Sequence, residues 1–131
     1  MPHKWVLSTI NNKKSIYENV KCISNEYDVS FTAAAIKYVE TSNLPIALIV
    51  WDIQSRCVKW FKKSRLFTEY INFDYIHEDS VTNSLLFSNN RYKKDHLKAN
   101  IWCPNLSNIY LSEESIKMPS LNQIYTFIKL E

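Results

Sequence analysis

Not one of the 131 residues is glycine, where a chain of this length ordinarily carries about nine. The absence excludes several chemistries. A GxxxxGKS/T phosphate loop, a GxGxxG dinucleotide turn and a GxSxG nucleophile elbow all need backbone that only glycine adopts freely. Turns at positive φ then fall to asparagine and aspartate. Asn11-Asn12, Asn43, Asn89-Asn90, Asn105 and Asn108 stand where such turns are wanted.

Metal-binding and nucleophilic residues are also scarce. The histidines are His3, His77 and His96. A zinc protease needs two imidazoles one helical turn apart with a glutamate beside the first. His77-Glu78 opens such a motif, but Val81 occupies the position where the second histidine belongs. Cys22, Cys57 and Cys103 form no CxxC pair, so buried, reduced thiols are expected. A cysteine nucleophile would need a neighbouring base, and none is placed by the pattern. Neither a metal, a cofactor nor a catalytic residue is expected. The longest apolar run, Leu44 to Trp51, is strand-sized and too short to span a membrane. The opening MPHKWVLSTINNKK has no apolar signal region, so a cytoplasmic protein is expected.

What is present suits a globular chain. The composition is 46% hydrophobic, which fits one domain over 1–131 with a sizeable core. The net charge is +3, from 16 basic and 13 acidic residues. That permits nucleic-acid contact without requiring it, since a committed phosphate binder carries a denser basic face. The clusters Lys62-Lys63-Arg65 and Arg91-Lys93-Lys94 read as solvated loops or sheet edges. Glu113-Glu114 and Asp79 read as solvated loop charges, because nothing in the spacing brings them together as a catalytic pair.

Periodicity divides the chain into a helical unit, 15–42, and a sheet unit, 44–131. Residues 1–14 read as an irregular lead-in. Ser15 is placed to cap a helix to about Tyr27, with Ile16, Val20, Ile23 and Tyr27 on one stripe. Ser30 caps a second helix from Phe31 to about Thr41, ended by Asn43 and Pro45. Ile46 to Trp51 is apolar at every position, as in a strand covered on both faces. A turn over 52–55 leads to a partner strand, Arg56 to Phe61. There Val58 and Trp60 are expected on one face, Cys57 and Phe61 on the other. A short edge strand is expected near Tyr70–Phe73, and a short helix capped by Asp79 or Ser80 that Asn89-Asn90 ends. Further strands are expected over His96–Cys103, Ile109–Leu111 and Asn122–Leu130. The pattern is α+β: an N-terminal helical hairpin, then a mostly antiparallel sheet with one inserted helix.

Val29–Ser64, with its alanine-rich helix, Pro45, buried strand, polar turn and returning Val58-Lys59-Trp60, resembles the segment that follows the peptidase core in the ImmA/IrrE family of zinc metallopeptidases. The likeness continues through Ile101-Trp102, Glu113-Glu114-Ser115-Ile116 and the closing Ile124-Tyr125-Thr126-Phe127-Ile128, and Met1-Pro2 fits its start. The resemblance implies a GAF-like fold in the C-terminal, post-peptidase part, with the HExxH zinc helix lying upstream of these residues. The expected role is a non-catalytic regulatory, sensor or protein-interaction domain in prophage or stress regulation. Repressor cleavage would occur only if a separate zinc-peptidase chain supplied the metal site. That chain, a repressor protein and a small ligand are the expected partners. A truncated remnant of a zinc metallopeptidase is an alternative.

Two sets of residues are candidates for binding. In a GAF-like sheet, Trp60, Phe61, Trp102 and Tyr125 would line the wall of a ligand pocket, with core filling as the competing reading. In the other alternative, a small DNA-associated transcription regulator, the 15–42 unit has helix-turn-helix proportions and offers Thr32 and Lys37. Its second helix has no arginine or asparagine to read base edges, so specific nucleic-acid recognition is not expected.

Overall fold

Six consecutive apolar residues, Ile46 to Trp51, fix the centre of the molecule. In the computed structural model, which describes residues 1–131, they form β1 (Ile46–Asp52), and every one of the six is buried. Ile46, Leu48 and Val50 point into one core, and Ala47, Ile49 and Trp51 point into a second. A strand apolar on both faces must be covered on both, at about 1.5–3 kcal/mol per fully buried large side chain. The expected hairpin partner is β2 (Val58–Lys63), and the closing strand is β5 (Gln123–Leu130). With β3 (Tyr92–Lys98) and β4 (Tyr110–Met118) they make a five-stranded antiparallel sheet ordered β2-β1-β5-β4-β3. The architecture is α+β.

Helices cover one face. α1 (His3–Thr9), α2 (Ile16–Tyr27) and α3 (Phe31–Thr41) contribute Val6, Ile16, Val20, Ile23, Ala34, Ala35, Tyr38 and Val39 to the first core. Ser15 and Ser30 act as the expected N-caps, accepting from Glu18 N and Ala33 N at 3.1 Å each. Asp28 ends α2 at φ 51, the glycine-free solution to a left-handed cap. The other face is covered by loop 64–80, α4 (Val81–Leu86) and a 3-10 turn over Ala99–Ile101. Phe67, Ile71, Leu85, Ala99, Trp102 and Cys103 pack there against Trp51, Leu111, Ile124 and Ile128.

Several sequence expectations need correction. The lead-in contains α1, because Val6 has a core site under α3. Tyr70–Phe73 forms no strand; the loop is held instead by buried Phe67 and Ile71. Val58 and Trp60 do not share a face. The register shifts between Val50↔Trp60 and Trp51↔Val58, so Lys59 is an extra residue. That bulge turns Val58 to the second core and Trp60 to the first. The strand expected over His96–Cys103 lies at Tyr92–Lys98; an edge strand exposed on both faces lacks the apolar alternation that marks a strand. The short strand at Ile109–Leu111 is the start of a nine-residue one. Cys57 is exposed in the β1–β2 turn, while Cys103 is buried.

Candidate functional site

The sheet buries two carboxylates. Glu113 and Glu114 lie in β4 at 0% and 1% exposure, not in a solvated loop. Successive strand residues face opposite sides, so each meets a different core. Glu113 Oε1 accepts from Val81 N at 3.1 Å and from the Trp102 indole N–H at 2.7 Å. Its Oε2 accepts from Thr82 N at 2.7 Å, Thr82 Oγ1 at 2.8 Å and Ser115 Oγ at 3.1 Å. Thr126 Oγ1 completes the cluster against Thr82 Oγ1 at 2.5 Å. Burial pushes the Glu113 carboxyl above its ordinary range, and the Trp102 and Thr82 hydrogen bonds pull it partly back.

Glu114 is used in the same way on the helical side. Its Oε2 accepts from Ile16 N at 2.8 Å, and its Oε1 from Tyr17 N at 3.1 Å and Tyr92 Oη at 3.0 Å. Both Tyr92 and Tyr38 have their phenols pushed up, by burial first and by the charge of Glu114 second. Every oxygen of the two carboxylates is engaged in holding a helix start to the sheet. An unpaired buried carboxylate would cost far more than these five-fold and three-fold donor sets leave uncompensated.

The four residues expected to form one ligand wall are divided between the two faces. Trp60 and Tyr125 come together on the helical side, edge to face at 6.1 Å. Tyr125 Oη is bonded to Thr32 Oγ1 at 2.6 Å. Trp102 lies on the other side, bonded to Glu113 and 5.9 Å from Trp51. Phe61 is also on that side of the sheet but 49% exposed, stacked on Phe73 at 4.5 Å. None of the four lines a surface cleft. Thr32 is therefore turned to the sheet, and Lys37 lies half-buried on the same helix.

The groups left free are at the β2 margin. Phe61 is exposed and stacks on Phe73, which is half-buried against the second core. Phe87, just after α4, is 70% exposed beneath the Arg56 guanidinium, 4.8 Å from its ring centre. Arg56, Lys59 and Arg65 are exposed along this margin. Lys62 reaches Glu40 at 4.0 Å, and Lys63 Nζ donates to the Glu69 carbonyl at 2.7 Å. Phe61 and the lysines are legible in the sequence as candidates; Phe73, Phe87 and Arg56 are not. Their placement depends on how loop 64–80, the β1–β2 turn and the end of α4 pack, which no local spacing reveals.

The remaining clefts are shallow. One of about 250 Å³ lies between α4 and β3, lined by Ser80, Ser84, Lys93 and Asp95 among others. The structure brings no three histidine, cysteine or acidic side chains together as a metal site. No helix is long and apolar enough to cross a membrane. No family model and no curated protein matches the chain.

Proposed function

We propose that this chain is a non-catalytic, cytoplasmic protein-interaction domain of regulatory type, in the manner of the post-peptidase, GAF-like part of an ImmA/IrrE-type protein. A repressor, or a separate chain bearing the zinc peptidase, is the class of partner this reading implies. The observation that carries it is the Phe61 ring, 49% exposed on an edge strand whose neighbours in sequence include the exposed Arg56, Lys59 and Arg65. Exposed aromatics flanked by arginine are the residues that dominate the energetics of protein interfaces. The exposed part of the Phe61 ring has no partner in the fold, so it is available to one.

The substitution Phe61→Ser tests the reading. The variant should keep its thermal midpoint to within about 3 °C and lose association with the partner that the wild-type chain retains in its native cell. A variant that unfolds would assign the ring to stability. One that stays folded and keeps its partner would remove the surface from the function.

A further inference from the structure

We infer that the open edge of β2 accepts an extended, acidic segment of a partner protein as a sixth strand of the sheet. The inference rests on the interaction reading above and names how the partner is held.

The ladder shows which backbone groups are free. Ser64 N donates to Ile46 O at 2.8 Å, so Leu48↔Lys62 and Val50↔Trp60, two and four residues further along β1, are the bonded pairs. On the other side of β1, Leu130 N donates to Pro45 O at 3.1 Å. That commits the N–H and C=O of Ala47 and Ile49 to β5. Their partners across the hairpin, Lys63 and Phe61, must then aim their own N–H and C=O away from β1. No loop or side chain takes these groups up.

The opposite edge of the sheet differs. Ala99 N donates to Ile109 O and Lys117 N to Arg91 O, each at 2.8 Å, which aims the backbone of Lys94 and His96 outward from β3. There the His96 N–H is already taken by Asp95 Oδ1 at 2.8 Å. A side chain that occupies a central edge donor leaves it unavailable to an added strand. On β2 the Lys59 bulge lies at the turn end and the lysines repel a like-charged strand, while the Phe61 and Lys63 amides have no side-chain partner.

Charge selects the occupant. Lys59, Lys62, Lys63 and Arg65 line the β2 edge. A second copy of β2 would bring these cations against themselves, and opposed like charges destabilise a strand pair. An acidic strand is attracted instead, and exposed Phe61 offers its ring to an apolar side chain on the same face.

A labelled peptide of about eight residues alternating glutamate and valine, long enough to span a strand, tests this by amide NMR and hydrogen exchange on the intact chain. The amides of Phe61 and Lys63 should shift downfield and gain protection, while those of Trp60 and Lys62, already in the ladder, should change little. Lys63→Pro removes an outward backbone donor that the fold does not use, and should weaken binding at least about tenfold in protein that circular dichroism shows to be folded. Should Lys63→Pro fail to fold, Lys63→Glu should give the same loss by repulsion. Four results would overturn the inference. They are no saturable shift up to about 1 mM peptide, equal binding of the lysine-for-glutamate peptide, preferential binding of an oligothymidylate at these amides, or shifts confined to Phe73 and Phe87. The last would leave the interaction reading standing and remove strand addition alone.

Discussion

Glu113 and Glu114 are neighbours in β4, and each caps a helix on a different side of the sheet. Glu114 takes the first two amides of α2, and Ser15 takes the third. Glu113 takes the first two amides of α4, and Ser80 takes the third. One device is used twice: a serine N-cap from the helix's own chain and a carboxylate from the strand behind it. The free amides and positive pole of a helix start make it a good place for a buried anion. The pair pins both layers to the same strand.

Glu114→Gln tests the device on the helical side. An amide cannot accept at both ends, so at least one of Ile16 N and Tyr17 N loses its partner. The expected cost is about 1–3 kcal/mol by urea denaturation. Hydrogen exchange should speed up in the first turn of α2 and not in α4. Unchanged stability would show that the cap carries no weight.

Glu113 gives the fold a pH dependence of defined sign. Its folded-state pKa is raised from an ordinary 4.5, chiefly by burial. The folded state therefore holds the proton more tightly than the unfolded state. The stability from this group is full below the ordinary value and is lost as pH rises through the raised one. The stability of wild type relative to Glu113→Gln should be greater at about pH 5 than at about pH 8. A relative stability that grows toward alkaline pH would reverse the assignment.

Trp51 and Trp102 offer a matched comparison. Both are buried in the second core with rings 5.9 Å apart. The Trp102 N–H is bonded to Glu113, whereas the Trp51 N–H has no partner. Trp→Phe opens a similar void at each, but it removes a bonded donor at Trp102 and an unpaired buried donor at Trp51. Trp102→Phe should be the more costly by about 1–3 kcal/mol, the cost of leaving a buried acceptor short of a donor. Equal costs would place the Trp102–Glu113 bond among neutral contacts.

The thiols should react in a fixed order. Cys57 is exposed in a turn, Cys22 is half-buried on α2, and Cys103 is buried with its thiol pushed up to about 11 by desolvation. Titration with an aromatic disulfide should modify Cys57 first, Cys22 more slowly, and Cys103 only on unfolding. Rapid reaction at Cys103 in the folded chain would contradict its packing.

The parts of the fold legible in the sequence are those fixed by local pattern. The serine caps of α2 and α3, the doubly apolar β1 and the alternation of Ile124 and Ile128 against Tyr125 and Phe127 all follow from spacing. What was hidden depends on distant partners. Glu113-Glu114 reads as solvated loop charge because its carboxylates are satisfied by residues as far away as Ile16 and Val81. The polarity of β3 follows from its edge position, and the Lys59 bulge from pairing with β1. The aromatic wall failed for the same reason. The bulge and the 3-10 turn put Trp60 and Trp102 on opposite faces, which alternation within each strand cannot anticipate.

A photoreactive phenylalanine analogue at position 61, in cells expressing the chain at native level, tests the interaction role most directly. The control is the same analogue at Leu121, equally exposed at 48% but on the turn between β4 and β5. Irradiation should give a discrete protein adduct from position 61 that Phe73→Ser abolishes, and none from position 121. No adduct from position 61, or the same adduct from both positions, would contradict a binding surface at the β2 edge.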